Sequence, residues 1–239
     1  MNSLELIDSL GRYSVFDLAT FASIAGLEHN SAKVRLFRMK ERGYIFEVQR
    51  NAYTVHKDPF IVASRITWPS YISLWYALSY HGLTLQIPHQ VSVMTTRAKS
   101  RSSIEFMGVD ISFYNIKPDF FFGFERVLRN DMDIFIARPE KAIVDSVLFR
   151  KISISEIYDV IRENKDNLDL RLLVDYIIRC ENGSLSKRIG YLLDKLGHDF
   201  HRELANNIYS TVIAFDYALP DRGEINRKWG VLDNTEMTA

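Results

Sequence analysis

The first 56 residues alternate short apolar-periodic stretches with glycine stops, and that rhythm leaves few folds open. Residues 2–10 carry Leu4, Leu6, Ile7 and Leu10 at helical spacing, and residues 15–25 carry Phe16, Leu18, Ala19, Ala22 and Ile24. Gly11 and Gly26 close these stretches. Ser14 is placed to cap the second helix, and Asn30 or Ser31 to cap a third that runs to about Arg42 and stops at Gly43. Residues 44–48 and 52–56 then read as two strands around a Gln49-Arg50-Asn51 turn. Three helices followed by a β-hairpin is the order of a winged helix-turn-helix domain.

Charge decides what such a domain would do. Lys plus Arg and Asp plus Glu each number 30, so no net field steers the whole molecule toward nucleic acid or an anionic membrane. The balance is local. Within residues 31–42, Lys33, Arg35, Arg38, Lys40 and Arg42 face a single acid, Glu41. At about 100° per residue, Ala32, Leu36 and Met39 share one helix face, while Arg35, Arg38 and Arg42 form a stripe on an adjacent one. A helix entering the major groove needs a face of this kind, because arginine forks to guanine edges or neutralises phosphates. Ser31, Lys33, Arg35, Arg38 and Arg42 are therefore the expected groove contacts, and Arg50 and Asn51 the expected wing contact. Val34 and Phe37 lie off the Ala32 face and are expected to pack on the hairpin or another helix; contact with thymine methyls is the alternative.

The rest of the chain reads as a second, mixed domain. Residues 58–66 suggest a helix, and Trp68-Pro69-Ser70 the start of another through Trp75 and Leu78 to Gly82. Strands are expected at 90–96, 103–107 and 109–116, the last two joined at Gly108, and at 132–137 before a helix from Pro139 to Phe149. Helices follow near 155–164, 168–180 and 185–205, then a short extended end at 231–234. The expected class is α+β, with domains at 1–56 and 57–239.

Chemistry is sparse. The lone cysteine, Cys180, excludes a disulfide framework and a cysteine-based zinc site, and reads as a buried thiol of a core helix. No stretch approaches a membrane span, and residues 1–10 carry Glu5 and Asp8 without a basic leader, so a cytoplasmic location is expected. His198 and His201 could share a helix face at i, i+3, but no third metal ligand accompanies them. No Gly-x-Ser-x-Gly elbow backs His81 or His89, and the 11 glycines are scattered singly rather than gathered in a phosphate loop. Arg138, Glu140, Lys141 and Asp145 cluster on one helix, as caps and core contacts or as an anion site. Arg97, Lys99 and Arg101, with Ala98 and Ser100 between, form a candidate second basic patch. No catalytic residue, metal or cofactor is expected. An enzyme with a DNA-targeting domain, using acids such as Asp110, Glu140 or Asp145, is the distant alternative.

Five phrases carry a resemblance: 69–83 (PSYISLWYALSYHGL), 87–96 (IPHQVSVMTT), 114–124 (YNIKPDFFFGF), 136–149 (IARPEKAIVDSVLF) and 228–234 (KWGVLDN). In this order they resemble the AbiEi-type antitoxins, which join an N-terminal winged helix-turn-helix to a C-terminal antitoxin domain. The resemblance is dense over 57–150 and thins after 160. It implies a type IV toxin-antitoxin system: the partner is a nucleotidyltransferase-like toxin, neutralised without a stable complex. It also implies that the N-terminal domain binds double-stranded DNA at its own promoter and represses the operon. The competing expectation is a solitary winged-helix regulator whose second domain binds a ligand or mediates oligomerisation.

Overall fold

Asn2 opens helix α1 (Ser3–Gly11) with a reciprocal cap: its Oδ1 accepts from Glu5 N at 2.9 Å, while Glu5 Oε2 accepts from Asn2 N at 3.0 Å. Helix α2 (Leu18–Ala25) starts later than position 15, and Asp17 rather than Ser14 caps it, accepting from Thr20 N at 2.8 Å. That bond holds the Asp17 carboxyl below its ordinary value. The reason for the late start lies at Phe16, whose N–H and C=O exchange 2.8 Å bonds with Tyr53 in an extended bridge. Gly26, at φ 63°, ends α2 as expected. Helix α3 (His29–Glu41) is preceded by Glu28, so Asn30 and Ser31 lie inside the first turn rather than capping it. The hairpin of β1 (Phe46–Gln49) and β2 (Ala52–Thr54) is antiparallel, with a register shift between Glu47 and Gln49. Leu6, Leu10, Phe16, Phe21, Ala32, Leu36, Met39 and Ile45 form one apolar cluster beneath these elements.

The structure, a computed structural model, describes residues 2–86, 88–98 and 101–235. The class is α+β. The chain divides into two units, Met1–Ile72 with Pro88–Phe121 and Glu125–Ile136, and Ser73–Ile87 with Phe122–Phe124 and Ala137–Ala239. Residues 1–56 therefore share the first unit with segments that return from later in the chain.

Beyond the hairpin, the first unit holds α4 (Pro59–Arg65) and all but a few end residues of a six-stranded sheet. Asp58 caps α4 by accepting from Phe60 N at 3.0 Å, and its other oxygen accepts from Arg129 Nε at 2.5 Å. Residues 70–73, expected to be helical, are strand β3 (Ser70–Ser73), buried at all four positions. A short run buried on both faces has no period that separates strand from helix. Helix α5 (Leu74–Tyr80) begins only after it, with Leu74 at φ 58°.

Next come β4 (Gln90–Thr95), β5 (Ser103–Phe106), β6 (Val109–Asn115), β7 (Phe124–Arg129) and β8 (Met132–Ala137). The sheet order is β5-β6-β4-β3-β8-β7. β4 and β6 are parallel, β3 and β8 are parallel, and β5 folds back antiparallel on β6 through Met107 and Gly108, both at positive φ.

The second unit is mostly helical: α5, α6 (Pro139–Leu148), α7 (Ile154–Asn164), α8 (Leu170–Arg179), α9 (Gly183–Lys195) and α10 (His201–Leu204). The expected continuous helix over 185–205 is two helices, broken at Gly197 with φ 86°. Side chains of Ser153, Asp169 and Asn182 cap α7, α8 and α9. Strands β9 (Ile213–Ala214), β10 (Glu224–Asn226) and β11 (Val231–Asp233) form a small sheet in the order β10-β11-β9. Its loop seats Trp229, fully buried, on α9: the indole Nε1 donates to Asp194 Oδ2 at 2.8 Å, and the ring lies over Gly190. Asn234 closes the segment by accepting from Asp216 N and donating to Asp216 O, both at 2.8 Å. Among the described residues, no helix is long and apolar enough to cross a membrane.

Candidate nucleic-acid interface

Helix α3 buries Ala32, Leu36 and Met39, which fixes the direction of everything else on it. A groove of about 630 Å³ runs along one flank of it, between Ser3 and Leu27 on one side and Asn30, Ser31, Val34, Arg35, Arg38 and Arg42 on the other, with Met39 in its lining. Four of the predicted contacts, Ser31, Arg35, Arg38 and Arg42, are thus brought together at one concave surface. Lys33 is not among them. Two residues before Arg35, it points about 160° away around the helix and is exposed.

Val34 and Phe37 correct the expectation of packing: they are 51% and 58% exposed, and Val34 lines the groove. Tyr44, just beyond the helix, also lines it and is exposed. The signal for these residues was in the sequence, because Val34 and Phe37 stand opposite the Ala32, Leu36, Met39 face. Lys40 is turned toward the hairpin, where its Nζ lies 2.5 Å from Glu47 Oε2. That carboxylate raises the Lys40 pKa, and the half-exposed pair adds little to stability.

At the hairpin turn Arg50 is exposed, and Asn51 sits at φ 55°. Asn51 has a structural task that sequence reasoning missed: its Oδ1 accepts from Leu18 N at 3.2 Å, tying the turn to the start of α2. In the second basic patch, Arg97 and Arg101 are exposed, Arg97 N donates to Thr95 Oγ1 at 3.1 Å, and Lys99 lies outside the described residues.

Of the charged cluster at α6, Arg138 is exposed and the other three are interior. Glu140, Lys141 and Asp145 are all buried. Lys141 Nζ is paired with Asp145 Oδ1, Ser73 Oγ donates to Asp145 Oδ2 at 2.8 Å, and Glu140 Oε1 accepts from Asp169 N at 2.9 Å. These contacts are caps and core bonds rather than an anion-binding surface. Nearby, Cys180 is buried, and desolvation pushes its thiol up to about 11. Native protein at about pH 8 is therefore expected to react with a disulfide reagent only as fast as it opens, and denaturant to accelerate the reaction; rapid labelling of the folded protein would contradict this burial.

The two C-terminal histidines do not share a helix face. His198 precedes α10, while His201 stands at its start with Nε2 3.0 Å from Lys228 O and its ring edge-on to Trp229. Among the described residues, no three His, Cys, Asp or Glu side chains are grouped to hold a metal ion. His81 Nε2 faces Ala137 O at 2.8 Å.

No protein-family model matches the chain, and no curated protein matches it.

Proposed function

We propose that the chain is a DNA-binding autorepressor that also acts as the antitoxin of a type IV toxin-antitoxin system. One observation carries the DNA-binding half: three arginines of α3 line one groove along the flank of a helix whose Ala32, Leu36 and Met39 face is buried. Three helices followed by a hairpin tethered at Asn51 support reading the first 56 residues as a winged helix-turn-helix, with α3 as the recognition helix. The antitoxin half rests on the resemblance to AbiEi-type proteins. In that reading the partner is a nucleotidyltransferase-like toxin, opposed without a stable complex.

The test has two arms. In a salt-controlled anisotropy titration with the DNA upstream of its own gene, full-length protein binds, and Arg35→Ala with Arg38→Ala abolishes specific binding while the thermal midpoint stays nearly unchanged. Unaltered binding by the double variant would remove α3 from the interface. In the second arm the neighbouring gene is induced, and growth is compared with and without the full chain or the same variant. Rescue by both proteins supports an antitoxin activity separable from DNA binding. A toxic neighbour rescued by neither removes the antitoxin reading, and a harmless neighbour favours the solitary regulator.

A further inference from the structure

The ridge of α3 that points straight away from its buried face is not the arginine stripe. At about 100° per residue, the direction opposite Ala32, Leu36 and Met39 is held by Asn30, Val34, Phe37 and Glu41, at i, i+4, i+7 and i+11. All four are exposed. Arg35 and Arg42 turn to one flank of this ridge and Lys33 to the other, where Lys40 is paired with Glu47, and Arg38 lies between the ridge and the arginine flank. A helix seated in the major groove meets base edges along its leading ridge and the two phosphate strands along its flanks. An apolar pair on that ridge, bordered by cations on both sides, is poorly suited to an apolar protein surface. It complements a polyanion that offers an apolar group at its floor, and in the major groove that group is the thymine methyl.

Resting on the DNA-binding reading above, we infer that Val34 and Phe37 read thymine methyls. Arg35 and Arg42 act on phosphates and set affinity without sequence preference. Arg38, one turn from Val34, stands close enough to the ridge to fork to a neighbouring guanine. Sequence selectivity of this helix comes from its two apolar residues together with Arg38, rather than from the arginine stripe as a whole.

The operator need not be identified for the test. Full-length protein selects a preferred duplex from a pool with a random core. That duplex is then remade with deoxyuridine replacing each thymine in turn, which deletes only the methyl group. Anisotropy at fixed salt is expected to show about 3- to 10-fold weaker binding at one or two positions, the scale of one buried methyl. Val34→Ala or Phe37→Ala should flatten the thymine-to-uracil ratio at its own position. Arg42→Ala should weaken every duplex alike and lower the salt slope by about one.

A selected duplex bound tightly but indifferent to uracil at every position would overturn the inference and leave DNA binding standing. So would an unchanged ratio in both apolar variants. If no duplex is selected, the DNA-binding reading falls and the inference with it. If Val34→Ser with Phe37→Ser changes the sedimentation of DNA-free protein, the ridge is an interface between copies of the chain, and the assignment to thymine fails.

Discussion

Asp145→Ala is expected to lower the unfolding free energy by about 3–5 kcal/mol, because it removes the carboxylate that neutralises the Lys141 ammonium in a site with no solvent access. The loss is larger than that of a typical hydrogen bond for a specific reason. Asp145 both neutralises Lys141 and accepts from Ser73, so its removal leaves a buried charge and a buried hydroxyl without this acceptor. Replacing both ions with apolar residues of similar size, Lys141→Met with Asp145→Leu, should cost less than the single change, since the desolvation of two charges disappears together with their attraction. Urea unfolding followed by circular dichroism measures both. A single variant as stable as the parent would mean that water or a neighbouring group reaches Lys141.

Trp229→Ala should be comparably severe, at about 3–5 kcal/mol. The indole is fully buried, donates to Asp194, meets His201 edge-on at 4.9 Å, and rests where a side chain at position 190 would otherwise lie. A Cβ at Gly190 would come within 2.1 Å of the ring, so Gly190→Ala should be damaging for the complementary reason, by expelling what Trp229→Ala removes. Combining the two changes should therefore cost less than the sum of the singles, because each disrupts the same contact. Additive losses in thermal melts would mean that the ring and the glycine act independently.

Sequence reading succeeds where local chemistry is strong and fails where the deciding partner is remote. Gly26 and Gly43 place the ends of α2 and α3 because a left-handed turn there favours glycine. Gly108 places the β5–β6 hairpin for the same reason. The start of α2 is not legible locally, because Phe16 is held extended by Tyr53, a residue 37 positions away. β3 reads as helix because Ser70, Tyr71, Ile72 and Ser73 are all covered by structure that local sequence does not reveal.

On α3, composition finds the arginines but not the ridge. Val34 and Phe37 read as packing residues because apolar side chains are usually covered, yet the spacing of Ala32, Leu36 and Met39 already points them outward. The reading of Glu140, Lys141 and Asp145 as caps and core contacts holds, but their pairing does not follow from spacing alone, since i, i+4 pairs of this kind are mostly solvated.

The path of the backbone has its own thermodynamic effect. The chain passes between the two units at 72/73, 87/88, 121/122, 124/125 and 136/137, so Pro88–Phe121, a segment of the first unit, is continuous in sequence at both ends with segments of the second. Once that unit is folded, the loop is tethered as a crosslink would tether it, and the disordered form of the first unit has fewer conformations to lose. Chain-entropy reckoning puts the effect for a loop of this size at about 3–4 kcal/mol. The second unit thus lends stability to the first through connectivity alone, and a single cut between positions 88 and 121 would weaken the first unit while removing none of its side chains.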